Sequence, residues 1–157
     1  MKLVLLIVEG KAPDWAQSAR RTYIEKISAF KAFEIHTIKS PAVDRESSAV
    51  KTRNEAGLIL KNLEEKDMLI LFDEGGKLAK SSEDFAAQLG RVLESGKSKI
   101  VFCIGGAYGF DESVRKRAEQ RWSLSPLTMN HWVAGLTALE QIYRGFTILK
   151  GIPYHNR

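Results

Sequence analysis

Cysteine is all but missing from this chain: Cys103 is the single one in 157 residues, so no disulfide can close within it. Long apolar runs are missing too. The opening stretch "KLVLLIV" (2–8) ends at Glu9, too short for a membrane helix, and no small-residue cleavage site follows it. It reads as a buried first strand of a cytoplasmic protein. Repeats, low-complexity tracts and linkers are also lacking, so one domain over residues 1–157 is expected. No phosphate-binding G-x-x-x-x-G-K-[ST] occurs. Neither a metal nor a membrane partner is expected. The oddest gap is one of charge. From Ser123 to Leu139 there is no Asp, Glu, Lys or Arg, although "DESVRKRAEQR" precedes the gap and "EQIYR" follows it.

What is present alternates regularly. Short runs rich in Val, Ile, Leu and Phe lie at 2–8, 33–38, 68–72 and 99–104, as in buried parallel strands. Helical stretches lie between them. Pro13-Asp14-Trp15 opens the first, and residues 45–66 make the second. Residues 81–96 make the third, with Ser81 or Ser82 as N-cap and Gly96 as stop. The fourth spans 111–120 and starts with two acids. This order predicts an α/β fold, with a mostly parallel sheet and helices on both faces. Cys103 sits in a strand run and is expected to be a small core residue. A net charge of +5 suits a polyanion partner, and equally an ordinary basic enzyme.

Ligands of such sheets bind beyond the carboxyl ends of the strands. Three loops belong there. Asp73-Glu74-Gly75-Gly76-Lys77 offers a tight turn or a close backbone approach. Gly105-Gly106-Ala107-Tyr108-Gly109 resembles a dinucleotide fingerprint only loosely, with no acid at the expected distance. Leu124 through Asn130 is uncharged, a wall suited to a flat heterocycle held by main-chain groups rather than to a phosphate. After it, Trp132, Leu136, Leu139, Tyr143 and Phe146 form a helical stripe, widened by Val133, Ile142 and Leu149. That stripe fits a core helix or a subunit interface.

"IGGAYGF", "WSLSPLTMNH", "LEQIYRGF" and the terminal "PYHNR", together with the opening "KLVLLIVEGKAPDW", closely resemble the RlmH-type enzymes of the SPOUT superfamily. These are large-subunit ribosomal RNA (pseudouridine-N3)-methyltransferases. The resemblance spans essentially the whole chain. It implies a C-terminal trefoil knot, S-adenosyl-L-methionine as cofactor, a homodimer whose sites are completed by the partner, and a pseudouridine of 23S rRNA in the assembled ribosome as substrate. By motif, cofactor contacts fall on Phe72, Gly105, Leu124, Ser125, Pro126, Leu127, Thr128 and Met129. A branched side chain at Gly105 is expected to take the space the adenosine needs.

Methyl transfer to N3 of pseudouridine requires the loss of one proton, which a weak base can take. The candidates are His131, Tyr154 and His155, with a structural role for His131 as the alternative. Arg144 is a candidate for RNA phosphate or for pairing with an acid, Lys116, Arg117 and Arg121 for a solvated basic face, and His36 for a structural role. Two residues depart from the family pattern: Asn130 stands where Pro is usual, and Gly135 where Arg is usual. A non-catalytic ribosome-binding or assembly factor of the same fold is the alternative function. A flavodoxin-like nucleotide-binding enzyme is a more distant one.

Overall fold

A computed structural model of the chain describes residues 1–40 and 47–156. Among them five strands and five helices alternate: β1 (Lys2–Val8), α1 (Asp14–Ser28), β2 (Ala32–Ile38), α2 (Ser48–Lys61), β3 (Met68–Leu78), α3 (Ser82–Leu93), β4 (Lys99–Ile104), α4 (Glu112–Arg117), β5 (Gln120–Ser123) and α5 (His131–Leu149). All strand pairs are parallel, in the order β2-β1-β4-β3-β5. Flavodoxin-like sheets run 2-1-3-4-5 instead.

Side chains on the central strands point alternately to two cores, as the pleat requires. Leu3, Leu5, Ile7, Ile70, Phe102 and Ile104 meet α1, α3 and α5 on one face. Val4, Leu6, Leu69, Leu71, Val101 and Cys103 meet α2 and α4 on the other. Steps toward the β2 edge carry their helix on the first face, and steps toward the β5 edge carry it on the second. All four crossovers therefore share one hand. Cys103 is fully buried, and burial pushes its thiol pKa up, so it is the core residue expected.

Helix starts follow local chemistry. The Ser47 hydroxyl accepts from Val50 N–H at 3.3 Å, Ser81 from Asp84 N–H at 3.1 Å, and the Asn130 amide oxygen from Val133 N–H at 2.9 Å. Asn130, one of the two departures noted from the resemblance, is thus a working N-cap. The second helix was expected over 45–66; 45 and 46 lie outside the described residues, and the helix ends at Lys61 with Asn62 as its C-cap, short of 66.

Three expectations change. First, "DEGGK" does not simply follow its strand as a loop. β3 continues through it to Leu78, and Trp122 of β5 pairs with both Phe72 and Lys77 across a bulge that expels residues 73–76. Second, α4 stops at Arg117 rather than 120. Ala118 turns extended, and Glu119 joins the sheet by donating its N–H to Leu69 O at 2.9 Å while its carboxylate accepts from Leu69 N–H at 2.7 Å. Third, the buried stripe of α5 is rotated. It is built on Gly135, Ala138, Leu139, Ile142, Gly145 and Phe146, whereas Trp132, Leu136 and Tyr143 are half-buried and Val133 and Leu149 exposed. Small residues let the helix lie close. A Cβ at Gly145 would come 2.9 Å from Leu89, and one at Gly135 would face Ile7 and Ile104.

The bulge makes one glycine obligatory. A Cβ at Gly76 would lie 2.6 Å from the backbone carbon of Arg121, which cannot yield, while one at Gly75 would meet nothing within 4 Å. Gly76→Ala is expected to lower the unfolding free energy in urea titrations by about 1–3 kcal/mol. Gly75→Ala should change it by less than about 0.5 kcal/mol.

Candidate active site

The carboxyl ends of β4, β3 and β5 open into one cleft of ≈ 750 Å³, within the range of small-molecule sites. Its walls are the three loops singled out in the sequence, together with the start of α5. Of the expected cofactor residues, Phe72, Gly105, Leu124, Ser125, Leu127, Thr128 and Met129 line it, and so does His131. Pro126 does not. Phe72 reaches the cleft from the core, its ring stacked on Phe102 at 5.7 Å and edge-on to Trp122 at 6.3 Å.

The uncharged loop braces itself. Ser123 Oγ donates to Ser125 O at 3.0 Å, and Ser125 Oγ accepts from Leu127 N–H at 2.9 Å. Thr137 Oγ1 reaches Met129 Sδ at 3.8 Å from the following helix. Leu127 is left 72% exposed at one lip, facing a cleft whose other lip carries Tyr108, 58% exposed. Such a loop presents main-chain donors and acceptors without competing charge.

The glycine loop is close-fitting, though not for the reason expected. A Cβ at Gly105 would lie 3.0 Å from the Phe110 ring and 3.2 Å from Gly109 O, so a side chain there meets the protein itself and not the cleft. Gly109 has φ +76, which only glycine adopts without strain, and its N–H donates to Gly106 O at 3.2 Å. Beneath Gly106 lies the buried carboxyl of Glu55, whose Oε2 has no hydrogen-bond partner. Burial raises its pKa, against a hydrogen bond from Ser40 and the charge of Lys51.

Charge collects at the margins. Asp73 Oδ2 accepts from Arg115 Nε at 3.2 Å and from Arg121 Nη1 at 3.4 Å, which ties the bulge to α4 and β5. Arg117 is structural as well, since its guanidinium donates to the carbonyls of Glu64 at 2.9 Å and Asp67 at 2.8 Å. Arg117 and Arg121 are therefore engaged cations rather than a free basic face. His36 pairs with Glu34 at 2.7 Å on the edge strand, far from the cleft in the sheet order. At the end of β1, Glu9 and Arg20 form a bidentate pair at 2.5 and 2.9 Å, with His131 Nε2 3.9 Å from the same carboxylate. Burial lowers the His131 pKa; Glu9 acts against that and Arg20 with it.

Tyr154, His155 and Arg144 do not line the cleft of their own chain. They form a second cluster on α5. Arg144 Nη2 donates to Glu140 at 2.6 Å, Tyr154 OH donates to the same carboxylate at 3.1 Å, and His155 lies 3.0 Å from Arg144 Nη1 and 3.2 Å from Glu83. Within its own chain Arg144 is paired with an acid, Glu140. Among the described residues no group of three or more His, Cys, Asp or Glu side chains could hold a metal, and no helix is long and apolar enough to cross a membrane. Glu9, Arg20 and Glu55 carried no sequence signal of a role, because each matters through a partner distant in the chain.

A family model described as "Predicted SPOUT methyltransferase" matches residues 1–155. The chain belongs to the SPOUT methyltransferase family. It is 43% identical over 156 residues to the Ribosomal RNA large subunit methyltransferase H of Bdellovibrio bacteriovorus, covering 99% of each chain. It is 38% identical to that of Flavobacterium johnsoniae, over 98% of this chain and 99% of the other. It is similar in fold to the crystal structure of a probable rRNA-methyltransferase from Porphyromonas gingivalis, with TM-score 0.51 and 13% identity over 94% of this chain and 69% of that one. For this SPOUT chain, the cleft at the strand ends is the place to seek methyl-transfer chemistry.

Gly106 and Glu55 supply a test of the glycine loop. A Cβ at Gly106 would overlap the Glu55 carboxylate. Gly106→Ala and Glu55→Ala are expected to be coupled in thermal or urea unfolding, the double variant losing less stability than the sum of the singles by about 0.5 kcal/mol or more. Strict additivity would show that the carboxyl moves aside freely.

Proposed function

We propose that this chain is an S-adenosyl-L-methionine-dependent methyltransferase acting on N3 of a pseudouridine in 23S rRNA of the assembled ribosome. The observation that carries the reading is the uncharged, self-braced wall from Leu124 to Met129 closing a cleft at the strand ends, in a chain of this family. The names of the full-length relatives supply the substrate class.

The cleft fits the cofactor by its chemistry. The amides and carbonyls of Leu124–Met129 suit an adenine edge, and Gly105 and Gly106 line the same cleft with backbone alone. When bound, S-adenosyl-L-methionine supplies a methyl group on a positively charged sulfur, open to in-line attack. The protein's share is to position the acceptor, exclude water and take the N3 proton. His131 is the proton acceptor on this reading: it lines the cleft, and burial at a helix N-terminus favours its neutral form.

The active species on this reading is a homodimer whose C-terminal part forms a trefoil knot. Half-buried Trp132 and Leu136 with exposed Val133 give α5 an apolar flank for a second copy. Arg144, Tyr154 and His155, outside their own cleft, would then serve the neighbouring one, with Arg144 toward RNA phosphate.

Labelled S-adenosyl-L-methionine with ribosomes lacking the modification tests the proposal directly. Label is expected in 23S rRNA, and calorimetry should show binding of the cofactor and its demethylated product. Cofactor binding without any label in 23S rRNA would favour a ribosome-binding factor instead.

A further inference from the structure

The Glu9–Arg20 pair has no part in the wall that would hold the cofactor, yet it is built with care. The Glu9 side chain is 1% exposed and that of Arg20 12%. Two parallel N–H···O bonds fix the carboxylate plane. A buried charge so placed is costly unless it is well paired, and one of its oxygens faces a third group. His131 Nε2, 3.9 Å from Glu9 Oε2, is itself buried and makes no hydrogen bond. That separation is too long for a hydrogen bond. Nε2 is nonetheless buried, and the Glu9 carboxylate is the anion beside it, so the field of that charge favours a hydrogen on this nitrogen.

The ring has few other influences. Among the described residues, Glu9 at the end of β1 and Arg20 on α1 are the charged groups acting on it. Its own helix adds the positive end of the α5 dipole, capped by Asn130, and the ring packs on Trp132 at 4.7 Å. A neutral imidazole carries its hydrogen on one nitrogen and accepts on the other. With the hydrogen drawn toward Glu9, Nδ1 is left as the acceptor.

We propose that Glu9, clamped by Arg20, is a positioning residue for His131: it fixes the Nε2–H tautomer and the ring's titration, and so leaves Nδ1 free to take a proton. This deepens the reading of His131 as proton acceptor and rests on it for its role in the reaction. The coupling itself does not depend on methyl transfer. The two charges push the ring in opposite directions, a signature that mere structural support would not produce.

The test is nitrogen-detected NMR of the His131 ring in the full chain. In the wild type the Nε2–H tautomer is expected to dominate. Glu9→Gln should mix the tautomers and move the titration midpoint down by about one pH unit, and Arg20→Gln should keep the tautomer and move the midpoint up by a similar amount. The acid limb of kcat should follow each shift, with S-adenosyl-L-methionine affinity unchanged within about twofold. If either single variant unfolds, Glu9→Gln with Arg20→Gln removes both charges together and should still mix the tautomers. An unchanged tautomer in the Glu9 variants, or shifts of one sign in both single variants, would overturn the proposal. Shifts as expected without methyl transfer to any RNA would uphold the coupling and count against the methyltransferase reading alone.

Discussion

Everything in this fold depends on the single hand of its four crossovers. Parallel strands need a return path over one face of the sheet, and a right-twisted sheet admits that path with one hand only. Stepping inward from β3 to β4, then outward from β4 to β5, places α3 and α4 on opposite faces and parts the loops that lead into them. The cleft is the space so opened. The chain leaving β5 then crosses it to reach α5, which packs against both α1 and α3, so the uncharged segment becomes a wall as a consequence of connectivity. Its lack of charge is what a wall between core and ligand requires.

The parts of this architecture legible in the sequence are those with local causes. The runs at 2–8 and 99–104 correspond to β1 and β4 residue for residue, because buried parallel strands need unbroken apolar stretches. Ser81 marks the start of α3 through cap chemistry, and Gly96, at φ 75, turns the chain two residues beyond the C-cap Glu94. What escaped depends on partners distant in sequence. β5 is four residues long with two of them exposed, so its pattern carries no strand signal, and the early end of α4 is settled by Glu119 reaching Leu69 in the sheet. Large apolar residues alone do not locate the buried face of α5. Glycine and alanine at 135, 138 and 145 are buried because their smallness allows close approach, which a search for large apolar residues overlooks.

The site divides in the same way. Loop positions were readable, since strand ends and glycines announce them. Its electrostatic frame was not. Asp73 with Arg115 and Arg121, Glu9 with Arg20, and Glu140 with Arg144 and Tyr154 are each a carboxylate claimed by more than one donor or by a bidentate one. The first rims the cleft, the second lies beside His131 outside the cleft lining, and the third binds the chain's tail to α5. Arg20, Arg115, Arg121 and Arg144 are therefore each held on an acid, and the charge-free part of the cleft wall is the Leu124–Met129 segment.

Cys103 has a practical consequence of a different kind. It lies at the middle of the sheet, on β4 between β1 and β3, with no exposed surface. A thiol reagent reaches it only when the central strands part, so its rate of modification is a clock for the opening of the whole domain. The folded chain is otherwise without a thiol to label. A reporter cysteine placed on the lip at Leu127 would react alone, which makes the native background silent for following that loop in solution.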